Sequence, residues 1–564
     1  MLIKLNVNFC YRAFAFYQKY YRFKLLRKMS SFSAVVKPPN VLVFTAEKIY
    51  KHAAENLGKC LCIDKYLIYH LKQDQVLTTP WMENAVLLVV ISDDIEENIV
   101  KEFIQFVKKG GKLLAVSSNI KVPGICSYEC IEEKIVSVTY KGLANADLYR
   151  GKYMFSTENG CVLAHDDKNK PVIFEVKLSD GTIIISSVYL GFNISASGTE
   201  KRIENSEANL SVLKSILSEK LNLEGHISDI PAPSCGYVIV EKDAQIEDMM
   251  KFMSISEISL EKSIKSSAEK GQSSDIKVPL LFHYDDLKPS LFDKSAYFSA
   301  LRTSYFGRPV VFFPVVTSTM YPAEHLSNHP GVVVIASRQI SGKGRGENMW
   351  ISPEGAAAFT LHFPLMLSSK LGQRMSLMQH MASLALVHGL RKKDGYENLE
   401  FRLKWPNDIF YEKDKKIGGV LVNTTIQGDV VHTYIGIGLN VVNVHPSVCV
   451  NSVIKDFNVK HGKSLKPLKV EEIIASTLNE LETLVNDFTD SGIARFLDLY
   501  YKYWIHQDQS ITLAGTNVKA IVKSIDEYGF LIVETEDGKK LSLQPDGNRF
   551  DIMKNLIVAK EIHL

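Results

Sequence analysis

The sequence predicts a multidomain protein that joins a parallel-sheet α/β domain, a larger α+β domain and a small C-terminal β-barrel. Three observations favour this fold class. Apolar strands alternate with an amphipathic helix after residue 41, strands and helices resume after about residue 290, and the last segment consists of short strands joined by turns. A chain of 564 residues is also too long for one hydrophobic core. The predicted divisions are 1–40 (basic tail), 41–230 (α/β domain), 231–290 (connector), 291–505 (α+β domain) and 506–564 (β-barrel).

Composition and charge exclude several classes of protein. Hydrophobic residues make up 46% and charged residues 23% of the chain, as in ordinary globular proteins. The formal net charge of +3 is too small to favour nucleic-acid binding. The longest apolar run, residues 85–91, has the length of a buried strand and cannot cross a bilayer. We therefore expect neither direct nucleic-acid binding nor a membrane span.

The N-terminal segment has no acidic residue before Glu47 and is rich in lysine, arginine and aromatic residues. This composition is typical of a mitochondrial transit peptide, and the alternative is a basic tail without an address. Translation from Met29 would remove every basic residue before Glu47 except Lys37. We therefore expect a cytoplasmic protein whose Met1 form is also partly mitochondrial.

The region from 41 to 230 is predicted to contain a parallel sheet. Residues 41–45, 86–91 and 113–116 are predicted as buried strands. Residues 95–109 between the last two strands carry apolar side chains at helical spacing. A strand, a helix and a strand in this order favour parallel pairing.

One turn of this region resembles the nucleophile region of class I glutamine amidotransferases. In that family a helix ends in Gly-Gly, a strand follows, and the nucleophilic cysteine occupies the next turn. Residues 109–118 follow the same pattern, with Ser117 at the position of the cysteine. The resemblance implies an amidotransferase-like fold over 41–230 that lacks the nucleophile cysteine.

The remaining divisions rest on local patterns. Residues 262–274 of the connector are rich in Ser, Lys and Glu, which predicts a mobile segment. The α+β domain is predicted to contain strands at 310–316, 331–337, 401–405, 417–425 and 430–437, and helices at 374–390, 470–488 and 492–504. The barrel strands are predicted at 510–513, 518–524, 529–534 and 540–543.

Four segments of the α+β domain carry informative side chains: 317–320, 337–346 with Trp350, 404–408 with 415–421, and 435–440. In the second segment, glycines alternate with Lys343 and Arg345. Glycines let backbone N–H groups approach a ligand, and the two cations add charge-assisted bonds to an anion. The spacing in this segment does not match a P-loop, and Gly436 and Gly438 of the fourth segment do not complete a dinucleotide fingerprint. A mobile surface loop is the alternative for this segment, and a tight strand crossing for 435–440.

Taken together, the four segments resemble the biotin protein ligases, called holocarboxylase synthetases in animals. The signatures of that family are G-[RK]-G-R ahead of a tryptophan, K-W-P-N-D, K-[LI]-x-G-[IV]-L and G-x-G-x-N, and all four occur here. The resemblance spans residues 291–564 and implies a class II synthetase-like catalytic domain followed by a barrel. It further implies an enzyme that activates biotin with ATP as biotinyl-5'-AMP and transfers biotin to a lysine of a carrier domain.

The resemblance also implies roles for single residues on the biotin side of the site. Neutral donors and acceptors would face the ureido ring, namely Ser318, Thr319 and Gln339. Glycines and one tryptophan would shape the walls and floor around the ligand, namely Gly342, Gly344, Trp350, Gly419, Gly436 and Gly438. Trp350 would cover the adenine, and Asn440 would lie near the nucleotide.

On the phosphate side, cations must offset the repulsion between the biotin carboxylate and the α-phosphate. The resemblance implies Lys343, Arg345, Lys404 and Lys416 for this task. Asn407 and Asp408 would lie near the phosphates, with Asp408 as a ligand of Mg²⁺. We expect Lys416, Arg345, Lys404 and Asp408 to be catalytic. Glu347 departs from the family pattern, and an acid beside a phosphate is expected to point to solvent or to pair with Lys343.

The implied protein partners are the biotin carrier domains of acetyl-CoA, pyruvate, propionyl-CoA and methylcrotonoyl-CoA carboxylases. Three other classes remain as alternatives. A lipoate protein ligase is disfavoured because it uses different motifs, and a biotin-sensing gene regulator because the front region lacks a basic recognition helix. A degenerate scaffold protein is disfavoured by the intact Lys416.

Overall fold

The computed structural model describes residues 39–92, 95–121, 125–130, 132–141, 146–157, 160–192, 207–225, 231–242, 257–260, 276–282, 291–346, 348–443, 445–513, 518–545, 548–551 and 556–559. The predictions made for the N-terminal tail, for residues 262–274 and for Glu347 lie outside these ranges. Two compact units make up the chain, one comprising 39–365 with 419–479 and the other 366–418 with 480–559. No helix in the described ranges is long and apolar enough to cross a membrane.

The α-helices of the described residues are α1 (Glu47–Cys60), α2 (Gln73–Thr78), α3 (Glu97–Lys108), α4 (Glu207–Ser215), α5 (Lys294–Ala300), α6 (Met320–His325), α7 (Met378–Arg391), α8 (Val450–His461), α9 (Val470–Ser491) and α10 (Ala494–Tyr503). Short 3₁₀ segments occur at Trp81–Glu83 and Gly372–Leu377, and a π-helical turn at Ile216–Lys220.

The strands up to the end of the predicted connector are β1 (Asn40–Thr45), β2 (Leu67–His70), β3 (Ala85–Ile91), β4 (Lys112–Val116), β5 (Ile125–Cys130), β6 (Lys134–Tyr140), β7 (Ala146–Arg150), β8 (Tyr153–Thr157), β9 (Cys161–Asp166), β10 (Pro171–Leu178), β11 (Gly181–Ser186), β12 (Gly236–Ile239), β13 (Glu257–Ser259) and β14 (Lys277–Leu281). The later strands are β15 (Val310–Val316), β16 (Val333–Lys343), β17 (Met349–Ser352), β18 (Ala356–Met366), β19 (Phe401–Lys404), β20 (Asp408–Tyr411), β21 (Lys415–Gln427), β22 (Val430–Asn440), β23 (Ser510–Leu513), β24 (Val518–Ile525), β25 (Leu531–Thr535), β26 (Lys540–Leu543), β27 (Asn548–Asp551) and β28 (Leu556–Ala559).

The front sheet, formed by nine of the strands between β1 and β11, has the order β2-β1-β3-β4-β11-β10-β9-β6-β7. Strands β2, β1, β3, β4 and β11 pair in parallel, and the rest of the sheet is antiparallel. The parallel pairing of β1, β3 and β4 confirms the predicted strand, helix and strand arrangement. The strands β5 and β8 form a separate antiparallel pair.

Both faces of the parallel strands are buried, which explains their continuous apolar sequences. On β1, Val41 and Val43 enter one core while Leu42 and Phe44 enter the other. Helices α1 and α4 contribute side chains to the first core, and α3 contributes to the second. The front sheet is therefore covered by helices on both faces, as expected of an α/β domain.

A second mixed sheet in the same unit has the order β13-β14-β12-β15-β16-β18-β22, followed by residues 419–427 of β21. Strands β12, β13 and β14 come from the predicted connector. Their residues Val238, Ile258 and Val278 pack in the same core as Val311 and Phe313 of β15. The sequence does not predict these strands, because each is only three to five residues long and too short for a clear periodicity.

Two strands of this sheet are longer than predicted. β16 continues to Lys343 and β22 to Asn440, so both glycine motifs lie largely in strands. β16 folds back on β17, with Gly342 opposite Trp350 and Lys343 opposite Met349. The interpretation of 337–346 as a loop is therefore wrong for residues 337–343. Cross-strand pairing with β17 stabilises this glycine-containing segment as strand.

The other unit contains the β19–β20 hairpin, α7, α10 and a small terminal sheet. The terminal sheet has the order β26-β25-β24-β23-β28-β27 and is antiparallel except for the β23–β28 pair. Helix α7 is buried along most of its length and forms the core of the unit. It begins at Met378 instead of residue 374, because the backbone of Arg374 leaves the helical region (φ −125°, ψ 38°).

Candidate active site

The residues predicted to face the ureido ring lie together in the larger unit. Ser318 and Thr319 follow β15 and are buried where α6 begins. The backbone N–H of Thr319 donates to Gln339 Oε1 at 2.9 Å, and the Thr319 hydroxyl lies 3.2 Å from the same oxygen. Thr360 on β18 joins this network through a hydroxyl–hydroxyl hydrogen bond of 2.8 Å to Thr319. The network fixes the carboxamide of Gln339, and Thr360 is a member that sequence reasoning missed.

The orientation of Gln339 brings it to the glycine motif. Because the carboxamide oxygen accepts from Thr319, the nitrogen Nε2 lies on the side of Gly342. A side chain at Gly342 would overlap the carbonyl oxygen of Trp350 and crowd Gln339 Nε2. Glycine is therefore required here by the close approach of β17. Gln339 Nε2 is thus a neutral donor held in a fixed orientation beside the backbone of Gly342. Such a donor suits an uncharged polar ligand.

The tip of the β16–β17 hairpin carries the two cations of the motif. The N–H of Gly344 donates to the carbonyl of Asn348 at 2.8 Å, and Asn348 Nδ2 donates to the carbonyl of Arg345 at 2.8 Å. Lys343 is exposed at this tip and Arg345 is half-buried. Gly346 has a φ of 63°, a conformation that favours glycine. The tip thus holds two cationic side chains on a tightly hydrogen-bonded turn.

The glycines of β22 make room for protein side chains. A side chain at Gly438 would overlap the indole of Trp350, and one at Gly436 would lie 2.7 Å from Met320 Sδ. Gly419 lies half-buried in β21. Sequence reasoning predicted that these glycines avoid a collision with biotin. For Gly436 and Gly438 the structure gives a nearer reason, which is the packing of Met320 and Trp350.

Asn440 ends β22 and its side chain is buried. Its Nδ2 donates to Ser447 Oγ at 3.0 Å, and its Oδ1 accepts from Asn443 Nδ2 at 2.9 Å. Both ends of the carboxamide therefore bind the segment that follows the strand. This arrangement gives Asn440 a structural task in addition to the nucleotide contact that the resemblance implied, which stays a prediction.

A cluster of charged side chains lies in the smaller unit, around the β19–β20 hairpin. Lys416 Nζ lies 2.6 Å from Asp408 Oδ1, and Lys404 Nζ lies 3.7 Å from Asp408 Oδ2. All three side chains are largely covered. Asn407 precedes Asp408 in the turn and is half-buried. Two lysines share one carboxylate, so the cluster keeps a net positive charge suited to an anion.

The same geometry tests the predicted Mg²⁺ ligand. Both carboxylate oxygens of Asp408 lie against ammonium groups, and these repel a further cation. Among the residues that the structure describes, no three His, Cys, Asp or Glu side chains cluster as a metal site. The residues present therefore do not fit a Mg²⁺ ion held by the protein alone.

Trp405 of the K-W-P-N-D motif is a structural anchor in this unit. Its backbone N–H donates to His506 Nε2 at 3.1 Å, and its indole Nε1 donates to the carbonyl of Gly529 at 3.0 Å. His506 is buried, and burial lowers its pKa to about 3, so the ring is neutral. Its other nitrogen, Nδ1, lies 2.9 Å from Gln509 Oε1, which fixes Nδ1 as the donor. His506 and Gly529 therefore hold the hairpin that presents Lys404 and Asp408.

Two family profiles match the chain in the regions just described. The profile described as "Biotin/lipoate A/B protein ligase family" matches residues 312–440. The profile described as "Biotin protein ligase C terminal domain" matches residues 509–554. The first match includes both the Gln339 network and the lysine cluster.

Individual proteins are similar over longer stretches. The biotin–protein ligase of Homo sapiens is 30% identical over 577 residues, which covers 93% of this chain and 78% of the relative. The biotin–protein ligase of Schizosaccharomyces pombe is 33% identical over 298 residues, covering 48% of this chain and 47% of the relative. Among solved structures, the Aquifex aeolicus biotin protein ligase in complex with biotin and ATP is 25% identical, with a TM-score of 0.31, and covers 42% of this chain and 96% of that one.

Proposed function

Because this chain belongs to the biotin–protein ligase family, we propose that the Gln339 network binds biotin and that the lysine cluster handles the phosphates. The activity of the enzyme is the ATP-dependent attachment of biotin to a protein lysine through biotinyl-5'-AMP. The observation that carries this function is the similarity to a biotin–protein ligase over 93% of the chain. The presence of all four sequence signatures supports it.

Ser318, Thr319 and Gln339 are proposed to hold the ureido head of biotin. Thr319 and Gln339 are held in position by hydrogen bonds to each other. Pre-oriented groups bind with a smaller loss of conformational entropy. Gln339 Nε2 would donate to the ureido oxygen, and Gly342 allows β17 to approach Gln339 closely.

Lys416, Lys404 and Arg345 are proposed to act where the two anions meet. A carboxylate oxygen of biotin attacks the α-phosphorus of ATP, a P–O bond forms, and pyrophosphate leaves with the electrons of the broken P–O bond. Negative charge accumulates on the phosphate oxygens in this step, and fixed cations stabilise it. Asp408 keeps the two lysines in place, so little reorganisation is needed when the phosphates arrive.

In the second half-reaction, the lysine amine of the carrier attacks the acyl carbon of biotinyl-5'-AMP. An amide bond forms, the C–O bond to the phosphate breaks, and AMP leaves, while a proton leaves the amine. Water would destroy the mixed anhydride before this step. We assign the exclusion of water to the hairpin tip that carries Lys343, Gly344 and Arg345.

Mg²⁺ is proposed to enter with ATP. The ion commonly keeps several waters and is held largely by substrate phosphates. Asp408 is proposed to lie near the ATP-bound ion without coordinating it directly, because its oxygens face Lys404 and Lys416. The proposed acceptors are the carrier domains of acetyl-CoA, pyruvate, propionyl-CoA and methylcrotonoyl-CoA carboxylases.

The finer features of the predicted fold are proposals as well. They are the five divisions of the chain, a closed C-terminal barrel, a class II synthetase-like catalytic domain and an amidotransferase-like front region. For the last, Ser117 directly follows β4 with a φ of 42°, as a nucleophile turn would require. Its buried hydroxyl packs against Gly151. This packing supports the proposal that the front region hydrolyses no glutamine.

A dual address is proposed from composition alone. The Met1 form is expected to be partly mitochondrial and the Met29 form cytoplasmic, because the shorter form loses most of the basic residues. Residues 1–46 and residues 29–46, each fused to a fluorescent protein, test the idea by microscopy. Mitochondrial signal from the longer fusion only is expected, and diffuse signal from both would disprove it.

The decisive test of function is incubation of the full chain with labelled biotin, MgATP and a carboxylase carrier domain. Label is expected on one carrier lysine, with release of pyrophosphate. Lipoate in place of biotin serves as the control, since the first matching profile also covers lipoate ligases. Transfer of lipoate but not biotin would contradict the proposed ligand.

A further inference from the structure

We propose that Asp64 is a positioning residue for biotin binding, because through Arg338 it holds the strand that carries Gln339. Asp64 lies in the turn between α1 and β2 of the front sheet, and Arg338 lies on β16. Both belong to the same compact unit. The inference rests on the proposed role of Gln339 in binding the ureido head, and it gives the front sheet a part in the reaction.

Arg338 and Gln339 are consecutive residues of a β-strand, so their side chains leave the strand on opposite faces. On one face, Gln339 accepts hydrogen bonds from Thr319. On the other face, the guanidinium of Arg338 donates to the carboxylate of Asp64 in an ion pair. One short stretch of strand is thus held from both sides.

The carboxylate of Asp64 is itself held firmly, because its turn is attached to the end of the front region. The N–H of Cys62 donates to the carbonyl of Glu224 at 3.0 Å. The N–H of Glu224 donates to the hydroxyl of Tyr66 at 3.0 Å, and Lys65 forms an ion pair with the Glu224 carboxylate. Bonds on both sides of Asp64 restrict its movement. The turn that carries Asp64 therefore offers Arg338 a carboxylate in a fixed position.

Loss of the Asp64 charge would leave a largely covered guanidinium without this partner. The side chain of Arg338 is only 15% exposed, and its Nε is buried. A covered cation that loses its carboxylate is destabilised, and it lowers its free energy by moving into contact with water. Because the Arg338 side chain is largely covered, we expect its shift toward water to displace this part of β16, and Gln339 with it. Biotin binding is expected to suffer, while the lysine cluster keeps its geometry.

The test compares Asp64→Asn with the parent in the full chain, by pyrophosphate release at varied biotin. The KM for biotin is expected to rise by about fivefold or more, in the usual range of coupling between sites. The kcat, the KM for ATP and the melting temperature are expected to stay unchanged. The matched control is Glu55→Gln, which breaks an exposed ion pair with Lys59 within α1 and is expected to change none of them.

The exchange variant Asp64→Arg with Arg338→Asp reverses the pair and is expected to restore much of the biotin affinity. The variant Gln339→Ala separates the proposed biotin-binding role of Gln339 from the proposed positioning role of Asp64. If Gln339→Ala raises the biotin KM and Asp64→Asn does not, the positioning role is wrong and the biotin site stands. If Gln339→Ala leaves the KM unchanged, the proposed site fails, and this inference fails with it. A loss of melting temperature and kcat in Asp64→Asn that the exchange does not reverse would also overturn the positioning role.

Discussion

The shared carboxylate of Asp408 explains how two lysines can remain close to each other at a single point of the protein. Lys404 and Lys416 would repel each other without a counter-charge, and Asp408 supplies it. An arriving phosphate finds positive charge already in position. Electrostatic stabilisation of this kind is effective because the groups need not reorganise during the reaction.

At the same scale, Lys416→Ala is expected to reduce adenylate formation by about 100-fold or more, as loss of one electrostatic contact to a transition state commonly does. Lys416 makes the shorter of the two contacts with Asp408, and its loss removes the net positive charge of the cluster, since Lys404 and Asp408 then balance each other. Pyrophosphate release measures the effect. Lys413→Ala is the control, because Lys413 is an exposed lysine in the turn just before β21, the strand that carries Lys416. Near-normal release by Lys416→Ala would refute the catalytic assignment.

Arg345→Gly is expected to release biotinyl-5'-AMP into solution. Arg345 lies half-buried on the hairpin tip, where its cation can bind the phosphate of the adenylate. Escaped adenylate would label lysines of any nearby protein, which streptavidin blotting of a mixed protein sample detects. Arg345→Lys keeps the charge and is expected to label much less widely. Labelling confined to the carrier lysine in Arg345→Gly would show that the clamp role is wrong.

Sequence reasoning predicted candidate site residues that lie close together, but it did not predict their partners. Gln339 and Thr319 were predicted to share a ligand, and they lie in hydrogen-bond contact. Thr360 carried no signal of its own, because it lies 41 positions from Thr319 in a largely apolar strand. Side-chain partners across a sheet depend on strand order and register, which a single sequence does not determine.

Among the elements, the β19–β20 hairpin shows how a motif can be structural and catalytic at once. Lys404 and Asp408 face the charged cluster, while Trp405 between them is fixed by His506 and Gly529. The sequence could not predict this anchor, since His506 lies 101 positions from Trp405. The hairpin and the segment that begins the terminal sheet are thus expected to unfold together.

The neutral His506 predicts a pH dependence of that unfolding. Its pKa is about 3 in the folded chain, against an ordinary value of about 6.5 in the unfolded chain. Between these values the unfolded chain binds a proton that the folded chain does not. The free energy of unfolding therefore falls as the pH drops below about 6.5, by up to about 1.4 kcal/mol per pH unit from this group, and is independent of this group above it.

His506→Gln tests this prediction, because glutamine can still accept from the Trp405 N–H and does not titrate. Denaturant unfolding at pH 5 and at pH 7.5 gives, for the parent and for the variant, the change in the free energy of unfolding between the two pH values. A smaller loss of stability at pH 5 is expected in the variant. His362, whose pKa is also lowered by burial, to about 4, contributes equally to both proteins and cancels in the comparison. An equal loss of unfolding free energy at pH 5 in both proteins would contradict the assignment of His506 as buried and neutral.

For the whole molecule, the sequence predicted the type of each sheet better than the residues at which strands and regions begin and end. The parallel core of the front sheet followed from continuous apolar runs, and these runs occur because both faces of the strands are buried. The small terminal sheet followed from short strands and turns, and β23 and β26 have the predicted bounds. The strands of the predicted connector were missed because they gain their stability from a sheet whose other strands lie elsewhere in the sequence.

The placement of β12 against β15 has a consequence for where the chain can be divided. Removal of everything before residue 290 takes away β12 and leaves the backbone groups of β15 without their antiparallel partner. An uncovered apolar strand edge is a template for intermolecular pairing, so the remnant is expected to aggregate. A remnant that starts at residue 231 keeps that neighbour and is expected to stay monodisperse in light scattering. The strands β12, β13 and β14 of the predicted connector belong to the same sheet as β15 and β16, so a cut that keeps this sheet whole falls before β12.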